Sequence, residues 1–365
     1  MSKYPTVKLG DVCIIERGGS PRPINKFITK DPNGINWIKI GDTSADSMYI
    51  TKTAEKIIPE GVLKSRQVKK GDFILSNSMS FGRPYILNID GCIHDGWLLI
   101  RDINDIFEKQ FLYYYLSSET VYANLKQMAV GGVVNNLNSN KVRSLMVPVL
   151  KKEDQIKICN KLNKITTVIQ QRKQQLAKLD ELAKSRFLEM FGDPVLNEKN
   201  WDLKKWKDVL TIKNGKSQKN VLDANGKYPI YGSGGLMGRA SAYITKANSI
   251  IIGRKGTIDK PFIVKEDFWN VDTAFGIEPD NNKISPHYLF FFCLFFDLKR
   301  LNKAAVLPSL VKSDLLNISM PIPPISIQNK FTLFIKQLDK SKFRIKKSLE
   351  KLELTYKALL QEYFG

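Results

Sequence analysis

Residues 153–191 read EDQIKICNKLNKITTVIQQRKQQLAKLDELAKSRFLEMF, a long stretch with neither proline nor glycine. A 4-3 spacing along this stretch picks out Ile158, Leu162, Ile165, Ile169, Arg172, Leu176, Leu179, Ala183 and Arg186. Apolar residues at that spacing share one narrow stripe of an α-helix, the seam of a coiled coil. Such a helix would run for roughly 58 Å at 1.5 Å per residue, and alone it would leave its stripe in water. The sequence therefore asks for a partner helix.

The partner lies in the same chain. Residues 326–364 form a second stretch of the same length without Pro or Gly, and the same register gives Phe331, Ile335, Leu338, Lys342, Ile345, Leu349, Leu352, Tyr356 and Leu359. Each seam is broken once internally, at Arg172 and at Lys342, at different heptad positions. The two helices are expected to pair antiparallel as a rigid spacer, with the segment preceding each helix forming a domain at either end.

The helices belong to a longer repeat, and internal repeats fix architecture before local motifs do. Residues 133–192 lie over residues 306–365 at an offset of 173 without a gap, and 13 of these 60 positions are identical. Leu137 matches Leu310, Pro148 matches Pro321, and Gln155 matches Gln328. Earlier in the chain, GDFILSNSMSFGRPYIL (71–87) parallels NSIIIGRKGTIDKPFIV (248–264) at an offset of 177. Near the start, Lys8 and Asp11-Val12 face Lys205 and Asp208-Val209 at an offset of 197. The offset falls from 197 to 177 between these two matches, so the first copy carries extra length early on.

The front part of each copy reads as short strands broken by Gly, Pro, Asn and Ser turns. DFILS (72–76) and SIIIG (249–253) are candidate buried strands, and residues 108–125 and 286–303 read as helices packed on those sheets. The fold class expected is α/β (α+β), two similar domains in pseudo-two-fold arrangement with two long antiparallel helices between them. The expected boundaries are a first domain at 1–150, a helix at 151–192, a second domain at 193–323 and a second helix at 324–365.

Composition narrows the partners. The chain has 57 Lys+Arg against 36 Asp+Glu, a formal charge of +21 over 365 residues. A field of that sign favours nucleic acid or an anionic membrane, and says little about fold. Four cysteines, Cys13, Cys92, Cys159 and Cys293, form no CxxC pair, which suits a reducing compartment better than a disulfide framework or a zinc site. The amino terminus has no apolar signal core, and the longest apolar run is nine residues, 288–296, far short of a membrane span. A soluble, cytoplasmic protein is expected.

Several chemistries are missing. A DNA methyltransferase needs an N/D-P-P-Y/F loop to hold the target amine, and no Asn-Pro dipeptide occurs. A PD…ExK nuclease needs Glu and Lys two apart, and there is no E-x-K. His94 and His287 are the only histidines and suit structural roles better than metal ligation or general-base catalysis. Gly215-Lys216-Ser217 imitates the end of a P-loop, but Leu210 occupies the place of the leading glycine. YGSGGLMG (231–238) misses the G-x-G-x-x-G spacing and reads as a loop where backbone approaches something closely. Neither a catalytic constellation nor a metal site is expected.

What remains is polar and basic loop chemistry at matching places in the two copies. Arg254, Lys255, Gly256 and Thr257 follow a buried strand, and their counterparts are Asn77, Ser78, Ser80 and, further on, Arg83. Arg bonds guanine bidentately, Asn bonds adenine, and Ser or Thr bonds phosphate or base edges. Different residues at equivalent positions would make the two copies read different base sequences.

Copy two carries KYPIYGSGG (227–235), IIIGRKGTIDKP (250–261), WNVDTAFGIEP (269–279) and LPSLVKSDLLNISMPIPPISIQNKF (307–331). Copy one repeats the last more loosely as NLNSNKVRSLMVPVLKKEDQIKI (136–158). On these stretches the whole chain resembles the specificity subunit of a Type I restriction-modification enzyme. The resemblance implies two target-recognition domains, each reading one half of a split asymmetric double-stranded DNA sequence, joined by the two helices. It also implies a chain without catalysis of its own, holding two methyltransferase subunits over target adenines and working with restriction-translocation subunits. S-adenosylmethionine, ATP and Mg²⁺ would belong to those partners, and the chain itself would carry no cofactor.

By the same resemblance the DNA-facing residues are Asn77, Ser78, Ser80 and Arg83 in copy one and Arg254, Lys255 and Thr257 in copy two. Ser233 and Gly234 form a second candidate loop. The stretch RGGSPRPINK (17–26), which holds Arg22 and Lys26, corresponds loosely to NGKSQK (214–219), which holds Lys216 and Ser217. Two readings stay open beside it: a coiled-coil scaffold with non-specific DNA binding, and a methyltransferase or nuclease with an unfamiliar motif.

Overall fold

The two long helices are each 40 residues, Lys152–Phe191 and Ile325–Phe364. The structure is a computed structural model and describes residues 4–44, 47–77, 82–129, 137–304 and 306–365. By its contacts the chain divides into two compact units, Met1–Gln171 with Leu349–Gly365, and Arg172–Ser348. Both divisions fall inside the long helices.

In the first unit a five-stranded sheet has the order Cys13–Arg17, Trp97–Asp102, Phe73–Ser76, Pro84–Leu87, Tyr49–Ile50. Phe73–Ser76 and Pro84–Leu87 are buried at every position, as their unbroken apolar character requires of strands covered on both faces. A second five-stranded sheet runs Ile28–Thr29, Glu55–Ile57, Ile35–Ile38, Gly91–Ile93, Arg66–Val68. Most of it is built from the extra residues of copy one. Thr6–Lys8 pairs antiparallel with Met146–Pro148.

The second unit repeats this plan with fewer strands. Its main sheet has the order Leu210–Asn214, Ala274–Pro279, Ser249–Gly253, Phe262–Val264, and Leu203–Lys205 pairs with Ser319–Pro321. A three-stranded sheet of Gly235–Ala240, Tyr228–Gly232 and Trp269–Asn270 completes it.

Three local expectations are corrected. Residues 108–125 are not one helix: Lys109–Leu116 stops, and Glu119–Ala129 starts afresh after the Ser118 hydroxyl accepts the N–H of Val121 at 3.3 Å. Residues 286–303 hold a helix only over Pro286–Phe295, because Phe296 turns extended (ψ 120°), and a 3₁₀ turn follows at Leu298–Leu301. Residues 231–238 are a β-hairpin rather than a loop, with Ser233 and Gly234 between its strands.

Each long helix joins a domain core. In the first unit Ile158 and Leu162 are buried with Phe73, Leu98 and Phe111, and the ring of Phe364 lies 5.3 Å from that of Phe111. In the second unit Phe187, Phe191 and Phe331 cluster around Tyr288 and Phe291, ring centres 4.9–5.6 Å apart. There Asp180 faces Lys342 at 2.5 Å and Phe187 faces Phe331, so residue numbers rise on one helix as they fall on the other. Within this unit the pairing is antiparallel. Of the seam residues, Ile158, Leu162, Ile169, Phe331, Ile335 and Leu338 are buried, while Ile165, Leu176, Leu179, Ile345, Leu349 and Leu352 are half-buried. At the two breaks Lys342 bonds Asp180, and one nitrogen of the Arg172 guanidinium bonds Gln175 at 2.8 Å while its Nε is buried without a partner among the described residues.

Candidate nucleic-acid interface

Strand register gathers the candidate loops of the second unit at one sheet edge. Asn214 ends its strand opposite Phe275, and Gly253 ends its strand opposite Ala274, both at the start of Ala274–Pro279. The loops leaving Asn214 and Gly253 therefore flank the turn that enters Ala274. Backbone bonds lock them together. Lys216 N–H donates to Asn270 (3.0 Å), and Arg254 N–H and Lys255 N–H donate to the Thr273 carbonyl (2.8 and 3.2 Å). Ala274 N–H closes a β-turn on Val271 at 2.9 Å, with Asp272 and Thr273 at its tip. Leu310 N–H reaches the Arg254 carbonyl at 2.9 Å.

Close approach at this edge demands glycine. A Cβ on Gly215 would lie 1.8 Å from the Val271 carbonyl oxygen. A Cβ on Gly253 would lie 1.9 Å from the Thr257 oxygen and 3.1 Å from Ser233, which sets the hairpin turn beside the 254–257 loop.

The first unit has the same backbone. Gly19 N–H donates to Ile93 (3.1 Å), Asn77 N–H to Gly96 (3.0 Å), Trp97 N–H to His94 (3.1 Å) and Leu137 N–H to Asn77 (3.3 Å). A Cβ on Gly18 would lie 2.0 Å from the His94 carbonyl oxygen. Every one of these contacts maps onto its partner in the second unit by the offsets 197, 177 and 173 read from the sequence. The backbone platform is duplicated while its side chains differ: Gly19 stands for Lys216, Arg22 for Lys219, Asn77 for Arg254, and Gly96 for Thr273. Gly18 with Gly215, Ser20 with Ser217, Asp95 with Asp272 and Leu137 with Leu310 repeat.

The expected site residues fall unevenly on this platform. Lys216, Ser217, Gly234 and Lys255 are exposed, and Ser233, Arg254 and Thr257 are half-buried. The Arg254 guanidinium lies over the Phe275 ring at 5.9 Å. In the first unit Arg22 and Lys26 are exposed, and Arg83 is half-buried over the Tyr85 ring at 5.6 Å. Ser78 and Ser80 lie outside the described residues. Asn77 is a correction: it is 1% exposed, and its amide donates to the Asp95 carbonyl at 2.8 Å. It fixes the turn from beneath and cannot reach a base from there.

Sequence reading missed Asp95 and Asp272, the acidic residues at the two turn tips. The Asp95 carboxylate accepts from Ser20 at 2.9 Å and from Arg22 at 3.4 Å, and its carbonyl accepts from Arg17 at 3.1 Å. Partial burial works against its ionisation, but the Ser20 hydroxyl and nearby His94 outweigh it and hold the carboxyl below its usual range. Burial lowers the His94 pKa against the pull of Asp95, and its Nδ1 faces the Gly96 N–H at 2.7 Å. Ser20, Arg22, Trp37, Lys39 and His94 line a cleft of about 670 Å³ beside this turn. The only signal that would have found the two aspartates is the repeat offset itself.

Among the described residues no cluster of three His, Cys, Asp or Glu is arranged to hold a metal ion, and no helix is long and apolar enough to cross a membrane. All four cysteines are buried free thiols.

The backbone frame is thus duplicated with largely different side chains, on a strongly basic chain. The chain belongs to the family of the Type I restriction modification DNA specificity domain, which matches it twice, over residues 1–181 and 198–355. It is similar to the Type I restriction enzyme MjaIX specificity subunit of Methanocaldococcus jannaschii. The two are 24% identical over an alignment covering 94% of this chain and 89% of that protein. Its fold is similar to that of the Type-I restriction-modification system S subunit from M. genitalium (TM-score 0.61, 18% identity, 100% of this chain and 96% of that one). A chain solved in work on complex assembly and conformational transition of the type I R-M system shares it too (TM-score 0.63, 17% identity, 100% and 99%).

Proposed function

We propose that this chain is the sequence-reading subunit of a Type I restriction-modification complex in which each platform reads one half of a bipartite, asymmetric DNA site. The carrying observation is the duplicated backbone frame with unlike side chains: one docking geometry, two readouts. Lys216, Ser217, Ser233, Gly234, Arg254, Lys255 and Thr257 face one half-site, and Arg22, Lys26 and Arg83 the other. Exposed lysines and arginines neutralise phosphates, while the turn tips between them meet base edges.

On this reading the chain has no catalysis of its own. It holds two methyltransferase subunits over the target adenines, with restriction-translocation subunits joining the assembly in the cytoplasm. S-adenosylmethionine, ATP and Mg²⁺ serve those partners.

Mapping methylated adenines in the host genome with and without this gene tests the proposal. A split asymmetric motif that vanishes on deletion is the expected result. An unchanged methylome, with the partner methyltransferase demonstrably expressed, overturns it. Equal affinity of the assembled complex for random and motif-bearing duplexes would leave only a scaffold.

A further inference from the structure

The two turn-tip aspartates occupy the same place in the two units but are used differently. Asp95 is tied down by Ser20 and Arg22. Asp272 is exposed and makes no hydrogen bond or ion pair among the described residues. In its unit the Ser217 hydroxyl instead accepts the N–H of Lys219, at 3.4 Å. Basic residues nonetheless flank the turn along the backbone. The backbone bonds of Lys216 to Asn270 and of Arg254 and Lys255 to Thr273 bring basic residues to both sides of the turn.

An uncommitted carboxylate at the centre of a basic, DNA-facing edge has a narrow range of uses. Against a phosphate it is repulsive, so the turn tip must face something other than the sugar-phosphate backbone. A carboxylate accepts hydrogen bonds only, and the base-edge donor that Asp characteristically accepts from is the N4 amino group of cytosine in the major groove. The flanking lysines and arginine would then straddle the groove on its phosphates.

We propose that Asp272 is a specificity-determining residue of the second domain, reading a cytosine through its exocyclic amine. This rests on the DNA-reading function proposed above.

The test uses the full-length chain in its methylating complex, with genome-wide mapping of the methylated motif. Asp272→Ala removes the acceptor, while Asp272→Asn keeps a turn-forming residue and supplies the pairing that suits adenine. In the Ala variant the preference for cytosine at one position of one half-site should fall by about tenfold or more, the worth of one good base contact. In the Asn variant the same position should admit adenine. The other half-site should not change. A motif unaltered in both variants overturns the inference. So does tighter binding to every duplex with the motif kept, which would make Asp272 a general repulsive charge. If the unsubstituted complex methylates no split motif, the functional proposal falls instead, and the two failures are separate.

Discussion

The side-chain oxygen of Gln328 accepts the backbone N–H of Ser285 at 2.8 Å. Its amide nitrogen donates to the carbonyls of Pro323 (2.8 Å) and Lys283 (3.2 Å). Gln155, its counterpart in the first copy, bonds the N–H of Glu108 (2.7 Å) and the carbonyls of Leu150 (2.9 Å) and Ile106 (3.0 Å). Both glutamines are fully buried. In each unit one amide bolts the first turn of a long helix to the segment that starts a domain helix.

Replacing Gln328 by Leu strands a buried N–H and two carbonyls, at a cost of about 1–3 kcal/mol for each group left without a partner. Gln328→Leu should lower the urea midpoint of unfolding, and Gln155→Leu should do the same. An unmoved midpoint would show that water takes over the amide's bonds.

Gly215→Ala and Gly18→Ala test the platform itself, since each new methyl would overlap a carbonyl oxygen on the turn. The loop must move away from the turn tip in either variant. Affinity of the complex for its own site should drop at least tenfold. Methylation mapping should place the Gly215→Ala defect in one half-site and the Gly18→Ala defect in the other. Both defects in the same half-site would refute the one-platform, one-half-site assignment.

The seam can be broken with charge. Asp at Leu162, Leu176, Ile335 and Leu349 together places four unpaired carboxylates among buried or half-buried positions. No methylating complex should form, as judged by co-purification. Leu162→Ala alone, at a fully buried position, should cost about 2–5 kcal/mol.

Acid should weaken the fold. Burial is the larger cause holding the imidazoles of His94 and His287 below the ordinary histidine range. Below about pH 6.5 the unfolded chain takes up protons that the folded chain refuses, so stability is full above that pH and falls beneath it. Urea midpoints measured from about pH 7 down to about pH 5 should decline, and His94→Gln with His287→Gln should flatten the slope. A slope unaffected by the double substitution would assign the decline to other groups.

Lys255→Ala should weaken binding to all duplexes alike and make the log–log salt slope shallower by roughly one phosphate's worth, about 0.9. A change confined to one base position would instead make Lys255 a base reader.

The long helices were legible because a heptad stripe needs nothing beyond its own periodicity. The strands Phe73–Ser76 and Ser249–Gly253 were legible for a similar reason, being short apolar runs between turn residues. The second sheet of the first unit was not, since strands such as Ile28–Thr29 and Glu55–Ile57 are too short to show alternation and exist only through their partners. The site was half legible. Chemistry singled out Arg254 and Lys255, but a polar residue does not reveal which way it points, and Asn77 points inward. Asp95 and Asp272 carried no local signal because an aspartate in a turn is ordinary.

The division of the chain at Gln171 and Ser348 has a consequence for how such a protein is put together. The stretch that repeats in sequence and the stretch that closes a core are different stretches. The first unit is finished by Phe364, which lies beside Phe111 and Tyr115, while residues 172–191 of the first helix are built into the second unit. A half-length chain ending at Gly192 would carry an arm it cannot use and lack the one it needs. Two such chains would satisfy each other by trading arms, a domain swap that here is written into one polypeptide.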